Sequence, residues 1–488
     1  MTIPSSFIAP YINGNFVSIS KPELAFSLHN PAAPKDILAA AGWNKELIDP
    51  ILTGLHIAQK KSRTSSFKER LAHVTKLIAA LRESADEIKS NMMLELARSR
   101  VSVDEEWNLC ESLFSVLPTF CKNILATKKD VPGWEWHYAP LGLSLICANI
   151  ALPVYSLLCG ALPALLGGNA VCLVPSSHCL LSASLLASSF HQAAFPPGLV
   201  QIVYGNFDIV RRLVRTHQFH TILYTGEEES LEQLRHDTSA KINVRLVLCG
   251  GGKNAAYVTK SADIDAAVQK IIYGMCLDAG QRLEATGLAF AHSSIFAEFQ
   301  DKFVTEIKKM PIGVHEDLSR SDAHVMGALC TANACERYLR FQGIAAREAD
   351  ETLRWGKSID NQSNGYFVSP GVHVMKPEKI LKSIYASNAF FGPDICLIPV
   401  EDSESVTNIL DQLESTRCLG VHTQFAEEVE KLRKIANIPT LLWNNPTTHL
   451  NPLLPSTGRG SAGNSHVTGV GFLLSTVYPQ TLNCQNSI

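Results

Sequence analysis

The run that decides the fold is "LSLICANIALPVYSLLCGALPALLGGNAVCLVP", Leu143–Pro175. It lies in a longer segment, Trp136 to Phe207, that contains no Asp, Glu, Lys or Arg. A stretch of about 18 or more apolar residues is long enough for a membrane-spanning helix. This one is interrupted by Asn149, Pro153, Pro163, Gly167, Gly168, Asn169 and Pro175, and then by the Pro196–Pro197 pair. The pieces "LSLICANI", "AVCLVP" and "LVQIVYG" are short and partly β-branched, and apolar helical stretches of about 12 to 15 residues separate them. That alternation predicts a parallel sheet buried on both faces and argues against membrane insertion.

On the N-terminal side, residues 44 to 127 read as successive amphipathic helices. "FKERLAHVTKLIAALRESADEIKSNMMLELARS" carries apolar residues at three and four spacing with charges between them. "DVPGWEWHYAPLG", Asp130–Gly142, is aromatic and suits an extended arm. On the C-terminal side the alternation runs through "TILYTG" and "VRLVLC" to about Val258. A second α/β series then includes "ADIDAAVQKIIYGMCLDAG", "SIFAEFQDKFVTEIKKM", "SESVTNILDQLEST" and "FAEEVEKLRKIA". The final "GFLLSTVYPQTL" reads as a further extended stretch, and there is no repeat or low-complexity segment.

Composition bounds the function. With 488 residues, 46% of them hydrophobic and 18% charged, the chain can bury a large core in two or three domains. A net charge of −3 supplies no general field toward nucleic acid or an anionic membrane, so neither partner is expected. The thirteen cysteines show no CxxC or Cys/His metal spacing, so no metal site is expected and the thiols read as buried in a reducing compartment. "MTIPSSFIAPYINGNF" has no basic region followed by an apolar one, and the expected location is cytoplasmic.

From about Tyr11 to Leu482 the landmarks "YINGNF", "PLGLSLICANIALP", "ALPALLGGNAVCLVPS", "FPPGLVQIVYG", "ILYTG", "GGKNAAYV", "ADIDAAV", "AGQR", "FFGP", "LLWNNP" and "GRGSAGN" occur in that order. In this the chain resembles the aldehyde dehydrogenase superfamily, and within it most of all succinylglutamate semialdehyde dehydrogenase. The resemblance implies a Rossmann-type domain from residues 1–128 and 143–255, a catalytic-like α/β domain from 256–450, and a β oligomerisation arm from 129–142 and 469–488. Fold does not carry chemistry, so each chemical position matters separately.

The family reaction needs a thiolate nucleophile, an amide for the oxyanion, NAD(P) as hydride acceptor and a carboxylate to activate water. The GQxC motif reads Gly280, Gln281, Arg282, Leu283, so leucine stands at the nucleophile position. Aligning Gly251, Gly252 and Lys253 with the family's ExGGK puts Cys249 where the base belongs, and no acid lies between Lys241 and Lys253. The oxyanion asparagine, two residues before Pro153, is Ala151, while Asn149 sits two residues too early.

The cofactor positions depart as well. The KPSE lysine is Val174 and its glutamate Ser177, and the ExFGP glutamate is Ala389. The pyrophosphate turn GSTxxG reads "GEEESL", with Gly226, Glu227 and Glu228 leading it. Thr225 is read as a helix cap with Glu228 closing a capping box. Like charges near 4 Å cost roughly 1 kcal/mol in water and about 4 at a surface-like dielectric, so these acids disfavour a diphosphate.

The resulting expectation is a family member that has lost dehydrogenase activity, takes no cofactor, and serves as a structural or regulatory subunit in a homo-oligomer or beside an active paralogue. One alternative is an NAD(P)-dependent aldehyde oxidoreductase with displaced residues, using Cys276, Cys249 or Glu284. Another is a metabolite sensor. Cys276 and Cys249 read as core residues and Glu284 as a solvated turn residue.

Overall fold

The computed structural model describes residues 7–241, 243–313, 325–360, 364–413, 415–452, 454, 456–466 and 468–484. Residues 1–6 of the expected first domain and 485–488 of the expected arm lie outside it. Two seven-stranded sheets organise the chain. The first runs Arg245–Gly250, Thr221–Gly226, Ser144–Cys147, Val171–Val174, Val200–Ile202, with the short strands Tyr11–Ile12 and Asn15–Phe16 at the edge. Its first five strands are parallel, and Tyr11 pairs antiparallel to Ile202.

Helices link the parallel strands. Pro153–Leu166 is buried at every position except Ser156. That explains the absence of charge in this part of the sequence. The helix packs beneath the sheet, with the helices Arg100–Leu125 and Gly469–Thr476 on its other sides. Among the described residues no helix is long and apolar enough to cross a membrane.

The N-terminal helices Ile48–Ser62, Phe67–Glu83, Ala85–Leu96 and Arg100–Leu125 follow the amphipathic pattern of the sequence. Phe67–Glu83 opens with a capping box between Ser66 and Glu69, which satisfies two otherwise unpaired donors at its start. The second sheet runs Glu351–Arg354, Gly371–Val374, Asp394–Val400, Thr286–His292, Asn254–Val258, Cys418–His422, Thr440–Trp443, and is parallel except for its first strand.

The aromatic segment forms strands Lys128–Val131 and Trp134–Pro140, and Val477–Asn483 pairs antiparallel along Trp134–Pro140. The reading of "GFLLST" as extended is corrected, because residues 471–476 lie in the helix Gly469–Thr476. Phe472 and Leu473 are buried in the first sheet's core, and that tertiary burial outweighs a local pattern too short to fix a period.

Candidate functional site: the nucleophile loop and the strand-end cleft

The helix Ile264–Cys276 ends in a turn where Asp278, Ala279 and Gly280 take φ values of 52°, 54° and 71°. Two consecutive non-glycine residues in this region are costly, and such a turn persists only where its surroundings hold it. A Cβ on Gly280 would stand 2.3 Å from the Gly392 carbonyl oxygen, so glycine is required there. The buried Asp278 carboxylate accepts hydrogen bonds from Arg98 Nε at 3.0 Å, Arg282 Nε at 2.6 Å and the Ser102 hydroxyl. Arg98 also bonds Glu106, whose other oxygen accepts the Val154 and Tyr155 amides, each at 2.9 Å, at the start of Pro153–Leu166.

Two guanidiniums and two carboxylates thus close a buried, charge-balanced cluster behind the loop. Burial alone would raise the Asp278 carboxyl, but Arg98 and Arg282 outweigh it and hold it at about 2.

The three positions that the sequence motifs set against family chemistry are all buried in the first sheet's core. Leu283 is 6% exposed, Cys249 3% and Ala151 4%, and all three belong to the core beneath the first sheet. The Leu283 carbonyl accepts from Asn254 Nδ2 at 2.8 Å, which pins the loop to the second sheet. Asn149 turns its side chain inward along the chain, where Oδ1 accepts the Ala151 amide at 3.0 Å.

Cys249 faces a cation. Arg417 Nη1 lies 3.3 Å from its Sγ and also donates to the Gly250 and Ala462 carbonyls at 3.2 and 3.0 Å. Burial pushes the Cys249 thiol up, and Arg417 only partly opposes this. The reading of Glu284 as solvated is corrected: its side chain is buried and stands 3.5 Å from Arg417 Nη2, an ion pair that removes the cost of leaving either charge alone. Burial also raises the Cys276 thiol, which sits in the second sheet's core.

A cleft of about 530 Å³ opens at the carboxyl ends of Ser144–Cys147, Val171–Val174 and Thr221–Gly226. Such a crevice is where parallel α/β sheets take ligands. Of the sequence-predicted cofactor positions, Val174, Ser177, Gly226 and Glu227 line it, joined by Asn149. Ala389 does not, and it lines a separate space of about 30 Å³ beside Lys253. Glu228 is not among the lining residues either.

The Thr225 cap is also corrected. Glu227 is the N-cap of helix Glu228–Thr238 and makes no side-chain cap bond. Its carboxylate instead meets Arg337 Nη1 at 2.7 Å.

Arg337, Cys330 and Phe391 were not singled out from the sequence, yet all line the cleft. Arg337 comes from helix Ala332–Glu348, lies with its guanidinium carbon 5.9 Å from the centre of the Phe391 ring, and has a buried Nε without a hydrogen-bond partner among the described residues. Burial pushes the Cys330 thiol up to about 12, and its amide donates to Gln281 Oε1 at 3.0 Å. No sequence signal pointed to Arg337 or Cys330, which belong to no local motif, whereas Phe391 stands in the FFGP landmark, where only the glutamate position had been read as cofactor-binding.

The residues present fit a dinucleotide in part. The open helix terminus at Glu227, the hydroxyls of Ser176 and Ser177 and the Arg337 cation suit a diphosphate, whereas Val174 gives an adenosine ribose no polar partner. The repulsion expected from the acidic turn has a counter-charge in Arg337 that the local sequence did not reveal.

Comparison with known proteins gives the same picture of the fold. The sequence matches the aldehyde dehydrogenase family over residues 17–481. It is 23% identical over 431 residues to the α-ketoglutaric semialdehyde dehydrogenase of Bacillus subtilis (strain 168), covering 85% of each chain. The structure is similar to 1-pyrroline-5-carboxylate dehydrogenase from Thermus with bound NAD, at TM-score 0.89 and 20% identity, covering 98% of this chain and 92% of that one. It is also similar to a mutant aldehyde dehydrogenase C from Pseudomonas syringae complexed with NAD+ and octanal, at TM-score 0.91 and 18% identity, covering 100% and 99%.

The expectation that no cofactor is taken is therefore corrected. Structural relatives of this chain are NAD complexes, and the strand-end cleft here is open and carries a cation. With a family match across nearly its whole length and a fold similar to those relatives at TM-scores of 0.89 and 0.91, the chain belongs to the aldehyde dehydrogenase family.

Proposed function

We propose that this chain is a nucleotide-binding member of the aldehyde dehydrogenase family that has lost thiol-dependent oxidation and acts as a structural or regulatory subunit. What supports this reading is Leu283, a buried aliphatic side chain where the GQxC reading of the sequence puts the nucleophile. A leucine has no lone pair with which to attack a carbonyl. In a protease where the effect has been measured, loss of the nucleophile costs about a millionfold in rate.

NAD(P) is the expected ligand of the cleft, held by the amide groups at the start of helix Glu228–Thr238, by Ser176 and Ser177, and by Arg337. When bound it would supply a hydride acceptor. The chain's own residues bind and orient it, but neither Leu283 nor Ala151 offers a group that would prepare an aldehyde to give up hydride.

Displaced chemistry has little support, because Cys249, Cys276 and Cys330 are buried with raised thiols, and Glu284 is engaged by Arg417. The arm implies an assembly, either of identical copies or with an active paralogue. The test is steady-state turnover with NAD and NADP against a panel of aldehydes. Succinylglutamate semialdehyde comes first, followed by the semialdehydes used by sequence relatives. No NADH or NADPH above the protein-free rate is expected, and saturable turnover with any of these aldehydes would overturn the reading.

A further inference from the structure

A second concavity of about 580 Å³ lies where the arm meets the body, and it shares no lining residue with the strand-end cleft. Arg63, Lys68, Arg70, Lys122, His137 and Tyr138 line it, with no Asp or Glu among its lining residues. The cations come from separate elements. Arg63 follows helix Ile48–Ser62, Lys68 and Arg70 lie at the start of Phe67–Glu83, and Lys122 lies in the last turn of Arg100–Leu125. His137 and Tyr138 belong to the arm strand Trp134–Pro140.

Among the described residues none of these four cations forms a salt bridge. The acid next in sequence, Glu69, is occupied, since its carboxylate accepts the Ser66 amide and hydroxyl at 2.7 and 2.8 Å.

Arg70 is the fixed point of the group. Its Nη1 donates to the Ser65 carbonyl at 2.9 Å, and its Nε is buried without a hydrogen-bond partner among the described residues. The guanidinium approaches the backbone so closely that a Cβ on Gly168, at φ +90°, would stand 2.9 Å from Nη1. Like charges gathered in a concavity repel one another, and a multivalent anion relieves that repulsion while satisfying guanidinium donors. The volume is that of a small-molecule site.

We infer that this concavity binds a small, multiply charged anion of the phosphate class, bridging the helical body and the oligomerisation arm. The anion could be inorganic or a phosphate ester, and both share the recognised group.

Calorimetric titration of the full chain with inorganic pyrophosphate, and separately with fructose 1,6-bisphosphate, tests this. Saturable binding is expected for at least one probe, and whichever binds more tightly identifies the source. The double substitution Lys68→Gln/Lys122→Gln, at two exposed positions, is expected to weaken that binding by about tenfold or more. Arg70→Gln should do the same. Because the strand-end cleft also suits a diphosphate, the binding assigned to this concavity is the component that persists in Arg337→Gln with its affinity within about twofold, well under the 1.4 kcal/mol of a tenfold change. Three results would overturn the inference: no saturable binding of either probe, affinity unchanged in Lys68→Gln/Lys122→Gln, or loss of binding only in Arg337→Gln.

Discussion

Arg417 Nη1 lies 3.3 Å from Cys249 Sγ, the residue that the ExGGK reading of the sequence sets against the water-activating carboxylate. An arginine held in this way changes what a restored acid would be. Cys249→Glu is expected to fold with the new carboxylate sharing the buried Arg417 guanidinium with Glu284, and to be held there as an ion pair in place of a free base. Paired with Leu283→Cys it should give no deacylation that rises with pH between 6 and 8, the range in which a carboxylate tuned for general-base work titrates. A pH–rate profile of that double variant checks this, and a rate rising through that range would show that the base had been restored.

The Asp278 carboxylate joins Arg98 and Arg282 behind the loop, so neutralising it leaves two buried cations short of an anion. Asp278→Asn keeps the left-handed backbone, which asparagine tolerates, and isolates the charge. The expected loss is about 3 to 5 kcal/mol in denaturant unfolding. The folded carboxyl, at about 2, lies below the ordinary value near 3.9, so its stabilisation is present above about pH 4 and is lost as pH falls toward 2. The variant should lack that acid-side decline.

Glu95 behaves in the opposite sense. It is buried at the start of helix Leu180–Gln192, where it accepts the Leu181 amide at 2.9 Å and the Ser182 hydroxyl, and burial pushes its carboxyl up to about 8 despite those bonds. The fold therefore favours the protonated form. The contribution is present below the unfolded value near 4.3 and is lost as pH rises to about 8. Glu95→Gln should flatten the fall in unfolding midpoint between pH 5 and 8, and an unchanged slope would show that Glu95 is not its source.

Val131, Trp134 and Leu482 are exposed on the arm sheet, whose outer strands among the described residues are Lys128–Val131 and Val477–Asn483. Exposed apolar side chains on the edge strands of a sheet favour association. Light scattering is expected to give a dimer or tetramer at micromolar concentration, and a mass near 53 kDa would count against it.

Strand and helix order was legible because the uncharged run from Trp136 to Phe207 is punctuated by proline, glycine and asparagine at the places where strands and helices meet. The positions proposed to lack family chemistry are read from fixed offsets within short motifs, so they rest on the sequence alone. What the sequence did not reveal were partners that arrive from far along the chain. Arg417 reaches Cys249 across 168 residues and Arg337 reaches Glu227 across 110, so the acidic turn looked uncompensated and Glu284 looked solvated. Local patterns carry no information about which distant cation meets a given acid.

The most direct test of the central claim is a single-turnover experiment. Concentrated protein is mixed with NAD or NADP and each aldehyde of the panel, and the reduced nucleotide formed is compared with the amount of protein. Even a slow nucleophile that acylates once and never releases its product would give a burst. The account predicts saturable nucleotide binding by calorimetry and no burst, for the wild type. A burst approaching one equivalent, from any aldehyde, would contradict it and would mean that a group other than residue 283 attacks the carbonyl.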